Sequence, residues 1–458
     1  MNWAEAGPTR RDVLRAIGMM AGTAVLYQAM EVLGHAKETQ FAGPPNLSGA
    51  RPGTKVVVLG AGLAGMLAAY ELSKAGYQVQ ILEYNNRPGG RNWSLYGGDT
   101  YTELGGATQK VGFADGNYLN PGPWRIPYHH RALLHYCKQF GVALEPFIQM
   151  NQQALVHNSK AFGGKPMRYR ELHADWDGNV AELLSKAIDN RALDSAMTKE
   201  DADRLRLALR EWGALDQNFK YSKSFRASRR RGFDRPQGGG VLGEPIPSDA
   251  YPFKDILDSG IWRVVAQHMS IDHQHSMFQP VGGMGMIGRG FARQVEGKIR
   301  FNQKVTSISQ QGGKVTVTHT DTGTGAVNTT EADYCVCTIP LSVLSQIDVD
   351  CNPALDAAIK AVPYSNSVKV GLEFKRRFWE EDEAIYGGIS FTDQEIAMIS
   401  YPSGRMHSNG PAVVLGAYTF GPASYKFAGM PPEERIRRAL EQGSVFHPGR
   451  YKEEFIGG

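Results

Sequence analysis

Three glycines, Gly60, Gly62 and Gly65, stand in the spacing G-x-G-x-x-G, and Glu83 follows about 20 residues later. In this spacing the first glycine permits a tight turn, the second lets the backbone approach a pyrophosphate, and the third lets the next helix pack closely. A carboxylate at the position of Glu83 binds the ribose hydroxyls of a nucleotide. These residues predict a dinucleotide site, and the motif alone does not distinguish a nicotinamide from a flavin dinucleotide.

The residues around the glycines predict the elements that position them. Residues 56–59 are a continuous apolar run, typical of a strand buried on both faces of a parallel sheet. Residues 63–75 are predicted to form a helix whose N-terminal dipole favours the negative charge of phosphates. A second strand over residues 79–82 leads to Glu83. The fold class is therefore predicted to be α/β (α+β over the whole chain), with a Rossmann-like nucleotide-binding domain.

The composition describes an ordinary globular protein. The chain has 458 residues, of which 42% are hydrophobic and 21% are charged, so two or three domains with a substantial core are expected. The net charge of +4 is too small to argue for nucleic-acid binding, and no basic face interleaved with aromatic residues is evident. The four cysteines lack zinc spacing, and residues 272–275 (DHQH) are not accompanied by further ligands, so no metal site is expected.

The N-terminus carries a separate signal. Arg10 and Arg11 stand in a segment that resembles a twin-arginine export signal, and residues 16–30 form an apolar stretch too short to span a bilayer comfortably. Residues 1–36 are expected to be a signal peptide and residues 37–53 a linker. This predicts a periplasmic or secreted protein with no stable membrane span. The alternative is an amphipathic leader with a chance pair of arginines.

Further elements are predicted from capping signals and periodicity. Asn179 is expected to cap one helix, and Thr198 is expected to cap another through a capping box. The arginine run at residues 229–231 is expected to be solvated within an exposed loop. The alternating apolar residues over 368–374 predict a half-buried strand with Lys369 on its opposite face.

The motifs that follow Glu83 indicate which of the two dinucleotides the site binds. Four motifs occur along the chain: R-x-G-G-R at residues 87–91, P-x-G-G-M at 280–284, an apolar strand ending in Ile-Pro at 334–340, and R-F-W-E at 377–380. In this order they resemble the motifs of the flavin amine oxidase family, and residues 122–127 narrow the resemblance to the L-amino-acid oxidases. The resemblance implies FAD as the cofactor, with Arg91 at its pyrophosphate and the backbone of Val305 at its adenine.

The resemblance also implies a domain organisation. An FAD-binding domain is expected from residues 54–127 and 276–345, interrupted by a helical insert at 128–275, and a mixed-sheet substrate domain is expected at 346–458. Members of the family carry a later stretch with a second FAD motif and an aromatic residue that walls the substrate pocket. The sequence ends at Gly458 before either feature. The substrate domain is therefore expected to be incomplete, and an inactive truncated remnant is one alternative.

Residues 122–127 (GPWRIP) resemble the segment in which L-amino-acid oxidases carry the arginine that binds the substrate α-carboxylate. By this resemblance Gly122, Pro123 and Trp124 belong to the flavin site and Arg125 binds the carboxylate. A guanidinium fork suits this role chemically because it pairs bidentately with a carboxylate. The alternative for Arg125 is a surface salt bridge.

Two further positions match the family. Lys369 matches a lysine that holds a water near the flavin, and its alternative is a strand lysine that extends its amine to solvent. Tyr401 matches a tyrosine that hydrogen-bonds the substrate carboxylate, and its alternative is an ordinary tyrosine at a strand end.

The reaction implied by the resemblance is oxidative deamination of an L-amino acid to a 2-oxo acid, with release of ammonia and hydrogen peroxide. The expected partners are a small-molecule amino acid or amine and dioxygen, and a homodimer is an open expectation. Residues 103–109 also resemble a segment beside the flavin, in the form found in monoamine oxidases. If only that segment lines the flavin ring, Arg125 has no role there, and an amine without a carboxylate becomes the expected substrate.

Overall fold

The structure is a computed structural model that describes residues 41–239 and 243–458. The expected signal peptide at residues 1–36 lies outside the described residues, as do the first four residues of the expected linker. None of the described helices combines the length and the apolar character that crossing a bilayer requires.

The described chain alternates helices and strands over most of its length. The helices are α1 (Leu63–Lys74), α2 (Arg131–Gln139), α3 (Tyr169–Asp189), α4 (Lys199–Trp212), α5 (Phe225–Arg231), α6 (Phe253–Ser259), α7 (Ile261–Met269), α8 (Gly285–Gln294), α9 (Leu341–Leu344), α10 (Pro353–Ala361), α11 (Phe378–Glu381), α12 (Gly421–Ala428), α13 (Pro432–Gly443) and α14 (Arg450–Glu453). The strands are β1 (Lys55–Leu59), β2 (Gln78–Leu82), β3 (Leu95–Tyr96), β4 (Thr100–Thr102), β5 (Thr108–Lys110), β6 (Tyr118–Leu119), β7 (Ile126–Pro127), β8 (Leu144–Pro146), β9 (Leu155–His157), β10 (Met167–Arg168), β11 (Phe233–Arg235), β12 (Ile246–Pro247), β13 (Met277–Pro280), β14 (Ile299–Arg300), β15 (Gln303–Gln311), β16 (Lys314–Asp321), β17 (Val327–Ala332), β18 (Tyr334–Cys337), β19 (Asp348–Val349), β20 (Ser367–Phe374), β21 (Gly388–Thr392), β22 (Met398–Tyr401), β23 (Ala412–Phe420) and β24 (Phe455–Gly457).

The described chain forms two compact units. The first comprises the chain up to Phe147, Ser276–Lys369 and Thr419–Pro432, and the second comprises Ile148–His275, Val370–Tyr418 and Glu433–Gly458. The predicted boundary at residue 275 coincides with a boundary between units, whereas those predicted at 127 and 345 fall inside the first unit. The antiparallel sheet β7-β13-β8 explains the first difference, because it joins the chain up to Pro146 to Met277–Pro280.

A parallel sheet of strand order β14-β2-β1-β18 lies at the centre of the first unit. Successive side chains of a strand point to opposite faces, and β1 is apolar on both. Val56 and Val58 pack into one cluster that also includes residues of α1 and α8. Val57 and Leu59 pack into a second cluster, which includes residues of β15 and β16. The predicted α/β fold with a Rossmann-like unit is confirmed.

Smaller sheets complete the first unit. Strands β15, β16 and β17 form an antiparallel meander, and β19 joins its edge parallel to β15. Two small antiparallel sheets, β3 with β6 and β4 with β5, lie in the Gly-rich stretch between β2 and α2.

The second unit contains a mixed sheet and the helical insert. The sheet has the order β10-β9-β21-β22-β23-β20-β24, with the first residues of β20 and the last of β23 belonging to the first unit. Helices α3 to α7 form the insert, where Ala181, Leu209 and Leu215 make a small buried cluster. The predicted mixed sheet and helical segment are both present.

The capping predictions for the insert had different outcomes. Thr198 caps α4 as predicted, since its hydroxyl oxygen accepts from the Asp201 backbone N–H at 3.2 Å. The prediction for Asn179 was wrong, because α3 already begins at Tyr169 and Asn179 lies inside it. Its side-chain amide donates to the Asp175 carbonyl at 2.7 Å, so it bonds back along the helix rather than capping it.

The expectation that the arginine run is solvated was wrong for Arg231. Residues 225–231 form α5, and helical spacing places Arg231 on the same face as the buried Ala227 and Ser228. Arg231 is 2% exposed, and its guanidinium donates to both oxygens of the buried Asp175 carboxylate at 3.0 and 2.9 Å. The pair ties α5 to α3 within the insert.

The half-buried strand predicted for residues 368–374 is more deeply buried than expected. In β20 every residue from Val370 to Phe374 is buried, and Glu373 on the predicted polar face is only 2% exposed. The strand lies between β23 and β24, inside the sheet. From Val370 onward, both faces of β20 are therefore buried, although apolar and polar residues alternate along it.

Candidate functional site

The predicted glycines form the turn between β1 and α1. Gly60 has a φ of +100°, a conformation that only glycine adopts without strain. A Cβ on Gly65 would lie 2.0 Å from the Gly60 carbonyl oxygen, so a side chain there would push the helix off the turn. A Cβ on Gly62 would meet no protein atom within 4 Å. The turn is therefore closed on the helix side and open at Gly62, where a pyrophosphate would lie.

A cavity of about 800 Å³ opens beside this turn within the first unit. Its lining includes five of the residues predicted to bind the cofactor, namely Gly60, Gly62, Glu83, Arg91 and Val305. These residues come from the β1–α1 turn, the end of β2, the segment after it and the start of β15. The cavity therefore lies at the carboxyl ends of β1 and β2, where open α/β sheets bind nucleotides.

Glu83 is held in place at the end of β2. The side chain is 5% exposed, and its Oε2 accepts the backbone N–H of Ala61 at 2.6 Å. Its Oε1 accepts from the backbone N–H and the side-chain amide of Asn85, at 2.8 and 2.7 Å. These donors fix a carboxylate against the cavity wall, the arrangement that ribose hydroxyls require.

The R-x-G-G-R segment folds back onto the glycine turn. The backbone N–H of Gly89 donates to the Ala61 carbonyl at 2.9 Å. Arg87 lies over the Trp93 ring, with Cζ 4.0 Å from the ring centroid, and donates to the Gly90 carbonyl at 3.0 Å. These contacts bring Arg91 to the cavity, and its role at the pyrophosphate stays a prediction.

The GPWRIP segment lies against the same loop. A Cβ on Gly122 would fall 1.9 Å from the Arg91 carbonyl oxygen, so the two backbones are in direct contact. The Trp124 ring packs edge-to-face on Phe147, with ring centroids 5.2 Å apart. The cationic groups of Arg125 and Lys369 lie 5.2 and 5.8 Å from the Trp124 ring centroid. This distance range is that of cation–π contacts.

Lys369 is a half-buried lysine whose amine faces main-chain oxygens. Its Nζ donates to the carbonyl oxygens of Gly122 and Asn120, the latter at 3.3 Å. Burial, and less strongly the nearby charge of Arg125, together lower the pKa of Lys369 to about 7. Near neutral pH this amine can therefore both accept and donate a proton.

Tyr401 lies in the second unit, at the end of β22, and is 1% exposed. Its hydroxyl forms hydrogen bonds with Ser390 Oγ at 2.9 Å and with His447 Nε2 at 2.8 Å. Through these bonds Tyr401 belongs to a buried polar network. Its assignment to a substrate carboxylate stays a prediction.

The segment that resembles the monoamine oxidase form, residues 103–109, comprises the turn between β4 and β5 and the first two residues of β5. Gly105 and Gly106 are exposed, and so is the whole Leu104 side chain, with a relative exposure of 111%. The segment is therefore an exposed hairpin tip in the first unit.

One cavity residue was missed at the sequence level although a signal for it existed. Thr338 follows the parallel strand β18, so it lies at the same edge of the sheet as Gly60. Its hydroxyl donates to the Leu59 carbonyl at 2.8 Å and also lines the cavity. The apolar strand predicted over residues 334–339 included Thr338, whereas β18 ends at Cys337, so the prediction did not place Thr338 at this edge.

Residues 63–455 match the family described as flavin containing amine oxidoreductase. The chain is 27% identical over 425 residues to the YobN protein of Bacillus subtilis (strain 168), covering 90% of this chain and 82% of that protein. It is 27% identical over 399 residues to the L-amino acid oxidase Bs29 of Bothriechis schlegelii, covering 86% and 74%. A solved structure of wild-type putrescine oxidase bound to putrescine has a similar fold, with a TM-score of 0.51 and 17% identity, covering 90% of this chain and 84% of that one.

The residues of the cavity fit the cofactor of this family. Gly62 leaves room for a pyrophosphate beside a helix N-terminus, Glu83 offers a fixed carboxylate to a ribose, and Arg91 offers a cation to phosphate. The matched residues span most of the sequence, and the fold agrees with the match. The chain therefore belongs to the flavin containing amine oxidoreductases, a family of oxidases whose cofactor is FAD.

Proposed function

We propose that the protein oxidatively deaminates L-amino acids to 2-oxo acids, with release of ammonia and hydrogen peroxide. The observation that carries the proposal is the position of Arg125, whose guanidinium lies by the same indole ring as the Lys369 amine. A plain amine offers no anionic group to this guanidinium, whereas an α-carboxylate does. Relatives of the chain include a protein named L-amino acid oxidase.

Each residue has a distinct task in the proposed reaction. Arg125 pairs bidentately with the α-carboxylate and so orients the substrate Cα, which contributes to rate through positioning. Lys369 hydrogen-bonds a water and, as a neutral amine above about pH 7, accepts a proton at Nζ. The redox chemistry, removal of a hydride from Cα and delivery of two electrons to dioxygen, is supplied by the flavin when it is bound. Water then hydrolyses the imino acid to the 2-oxo acid and ammonia.

The variant Arg125→Met tests the proposal. Charge-assisted hydrogen bonds contribute about 1.5–3 kcal/mol, so we expect kcat/KM for L-amino acids to fall by roughly 10- to 100-fold or more. The measurement is peroxide release from a panel of L-amino acids by the FAD-loaded protein. Arg131→Met removes an exposed arginine at the start of α2 and is the matched control. An Arg125→Met protein with unchanged turnover of L-amino acids would contradict the assignment.

A second candidate function is the oxidation of amines that lack a carboxylate. It is favoured by the resemblance of residues 103–109 to the monoamine oxidase segment. Peroxide release from L-amino acids and from the amines formed by their decarboxylation separates the two functions. We expect the amino acids to be the better substrates of the wild-type protein. If the amines are preferred, and Arg125→Met leaves their turnover unchanged, the second function replaces the first.

A further inference from the structure

Two buried polar side chains join separate segments close to Lys369. Ser94 is 2% exposed and Asn120 is 9% exposed. The Ser94 hydroxyl donates to Asn120 Oδ1 at 2.6 Å. Asn120 Oδ1 also accepts the Met284 backbone N–H at 2.9 Å, and Ser94 Oγ accepts the Gly285 backbone N–H at 2.9 Å. The pair therefore connects the segment after R-x-G-G-R, the segment before GPWRIP and the start of α8.

The surrounding backbone leaves these two side chains little space. Gly283 has a φ of +101°, and a Cβ on it would fall 2.5 Å from Ser94 Oγ. A Cβ on Gly285 would fall 3.0 Å from the Ser94 backbone nitrogen. Close contacts of this kind resist displacement, because protein interiors are packed to the density of organic crystals. Ser94 and Asn120 are therefore closely packed interior residues and not mobile surface side chains.

The same stretch of backbone holds the Lys369 amine. The Asn120 side chain is fixed by Ser94 and Met284, and the Asn120 carbonyl oxygen lies 3.3 Å from Lys369 Nζ. The second acceptor of Nζ, the Gly122 carbonyl, is two residues further on. The side chain held by Ser94 and Met284 and the two oxygens that accept from the amine thus belong to one stretch of three residues.

We propose that Ser94 and Asn120 are positioning residues for Lys369, acting through the main-chain carbonyls of Asn120 and Gly122. The catalytic relevance of this pair rests on the proposed function, in which the Lys369 amine accepts a proton next to the substrate. Whether the pair controls the amine can be measured without turnover, so the two statements fail separately.

The first test is Asn120→Asp in the FAD-loaded protein. The aspartate keeps the acceptor for Ser94 and Met284 and adds a negative charge within the residue that already contacts Lys369. An opposite charge at such range raises the pKa of an amine, and we expect an upward shift of about one unit for Lys369. Competitive acylation with acetic anhydride over a pH series, followed by mass-spectrometric peptide mapping, reads that pKa directly. Asn328→Asp in β17 adds the same charge elsewhere and is expected to leave it unchanged.

The second test is Ser94→Ala in the wild-type and Lys369→Met backgrounds. If Ser94 acts through Lys369, the alanine lowers the rate of flavin reduction by about tenfold in the first background and has little effect in the second, because effects on one linked group are not additive. Ser185→Ala deletes an equally buried hydroxyl in the second unit and controls for loss of packing. An unshifted Lys369 pKa in Asn120→Asp, or equal Ser94→Ala effects in both backgrounds, would overturn the proposal. A shifted pKa in a protein that oxidises no amino acid would instead refute only the proposed function.

Discussion

Lys369 presents its amine to two main-chain carbonyl oxygens, those of Asn120 and Gly122. These oxygens hold the amine in a set direction, while burial and the Arg125 charge lower its pKa to about 7. In an unfolded chain a lysine stays protonated up to about pH 10.4. The folded protein therefore creates a neutral amine between these pH values, and this is the form that can accept a proton from a water or a substrate.

The pH dependence of flavin reduction tests this property of Lys369. We expect the rate to rise as the pH increases through about 7, since the ammonium form loses its proton over that range. Lys369→Met should lower the rate by roughly 100-fold or more, a typical contribution of a positioned acid or base, and should abolish this rise. Lys360→Met, which removes an exposed lysine of α10, should keep both the rate and the rise. The assignment fails if Lys369→Met retains the same ionisation.

At the scale of secondary-structure elements, the turn between β1 and α1 uses its glycines for two different purposes. Gly65 serves packing, because its missing side chain lets α1 approach the Gly60 carbonyl. The space that a side chain on Gly62 would fill is open cavity, and we expect the pyrophosphate to lie there. The φ of Gly62, −72°, is compatible with any residue, so no backbone strain demands a glycine there.

Two alanine substitutions separate these purposes. Gly62→Ala should leave the thermal unfolding of the flavin-free protein nearly unchanged, while flavin content after reconstitution falls by about tenfold, because the methyl group occupies the pyrophosphate space. Gly65→Ala should destabilise the flavin-free protein by at least about 1–3 kcal/mol, the cost of overpacking a tight contact. Calorimetry and the absorbance of bound flavin are the measurements. Equal losses of stability in the two variants would show that Gly62 is also a packing residue.

At the scale of the whole molecule, the nucleotide cavity depends on completed folding. Its lining combines the β1–α1 turn with the start of β15 and the segment after β18, which are far apart in sequence. An unfolded chain therefore offers no FAD site. We propose that the protein acquires FAD in the cytoplasm and is exported folded by the twin-arginine route to the periplasm or the medium. The proposal rests on the arginine pair and the apolar stretch at the N-terminus.

Export is tested by replacing both Arg10 and Arg11 with lysine. Because the arginine pair is the feature by which the route is recognised, the double variant should accumulate in the cytoplasm as a yellow, FAD-containing protein. Fractionation followed by immunoblotting and a flavin spectrum is the measurement. Arg15→Lys, outside the pair, should be exported like the wild-type protein. Undiminished export of the double variant would exclude this route.

The glycine turn and the elements around it could be predicted from local sequence alone. The strand, glycine turn, helix and second strand are encoded within residues 55–83, and local backbone sterics decide their conformation. The carboxyl ends of neighbouring parallel strands share one edge, so Glu83 could be placed beside the glycines before the structure was known. Thr198 was equally predictable, because a helix cap involves only a few consecutive residues.

Contacts between residues far apart in sequence could not be predicted in this way. Lys369 contacts the Asn120 carbonyl across 249 positions of sequence, and Ser94 reaches Gly285 across 191. The burial of Arg231 likewise depends on Asp175, 56 positions away, whereas a run of three arginines on its own favours solvent. Propensity and periodicity describe neighbours along the chain. Side-chain partners across segments are selected by packing, which is why the surroundings of Lys369 could not be predicted from its strand.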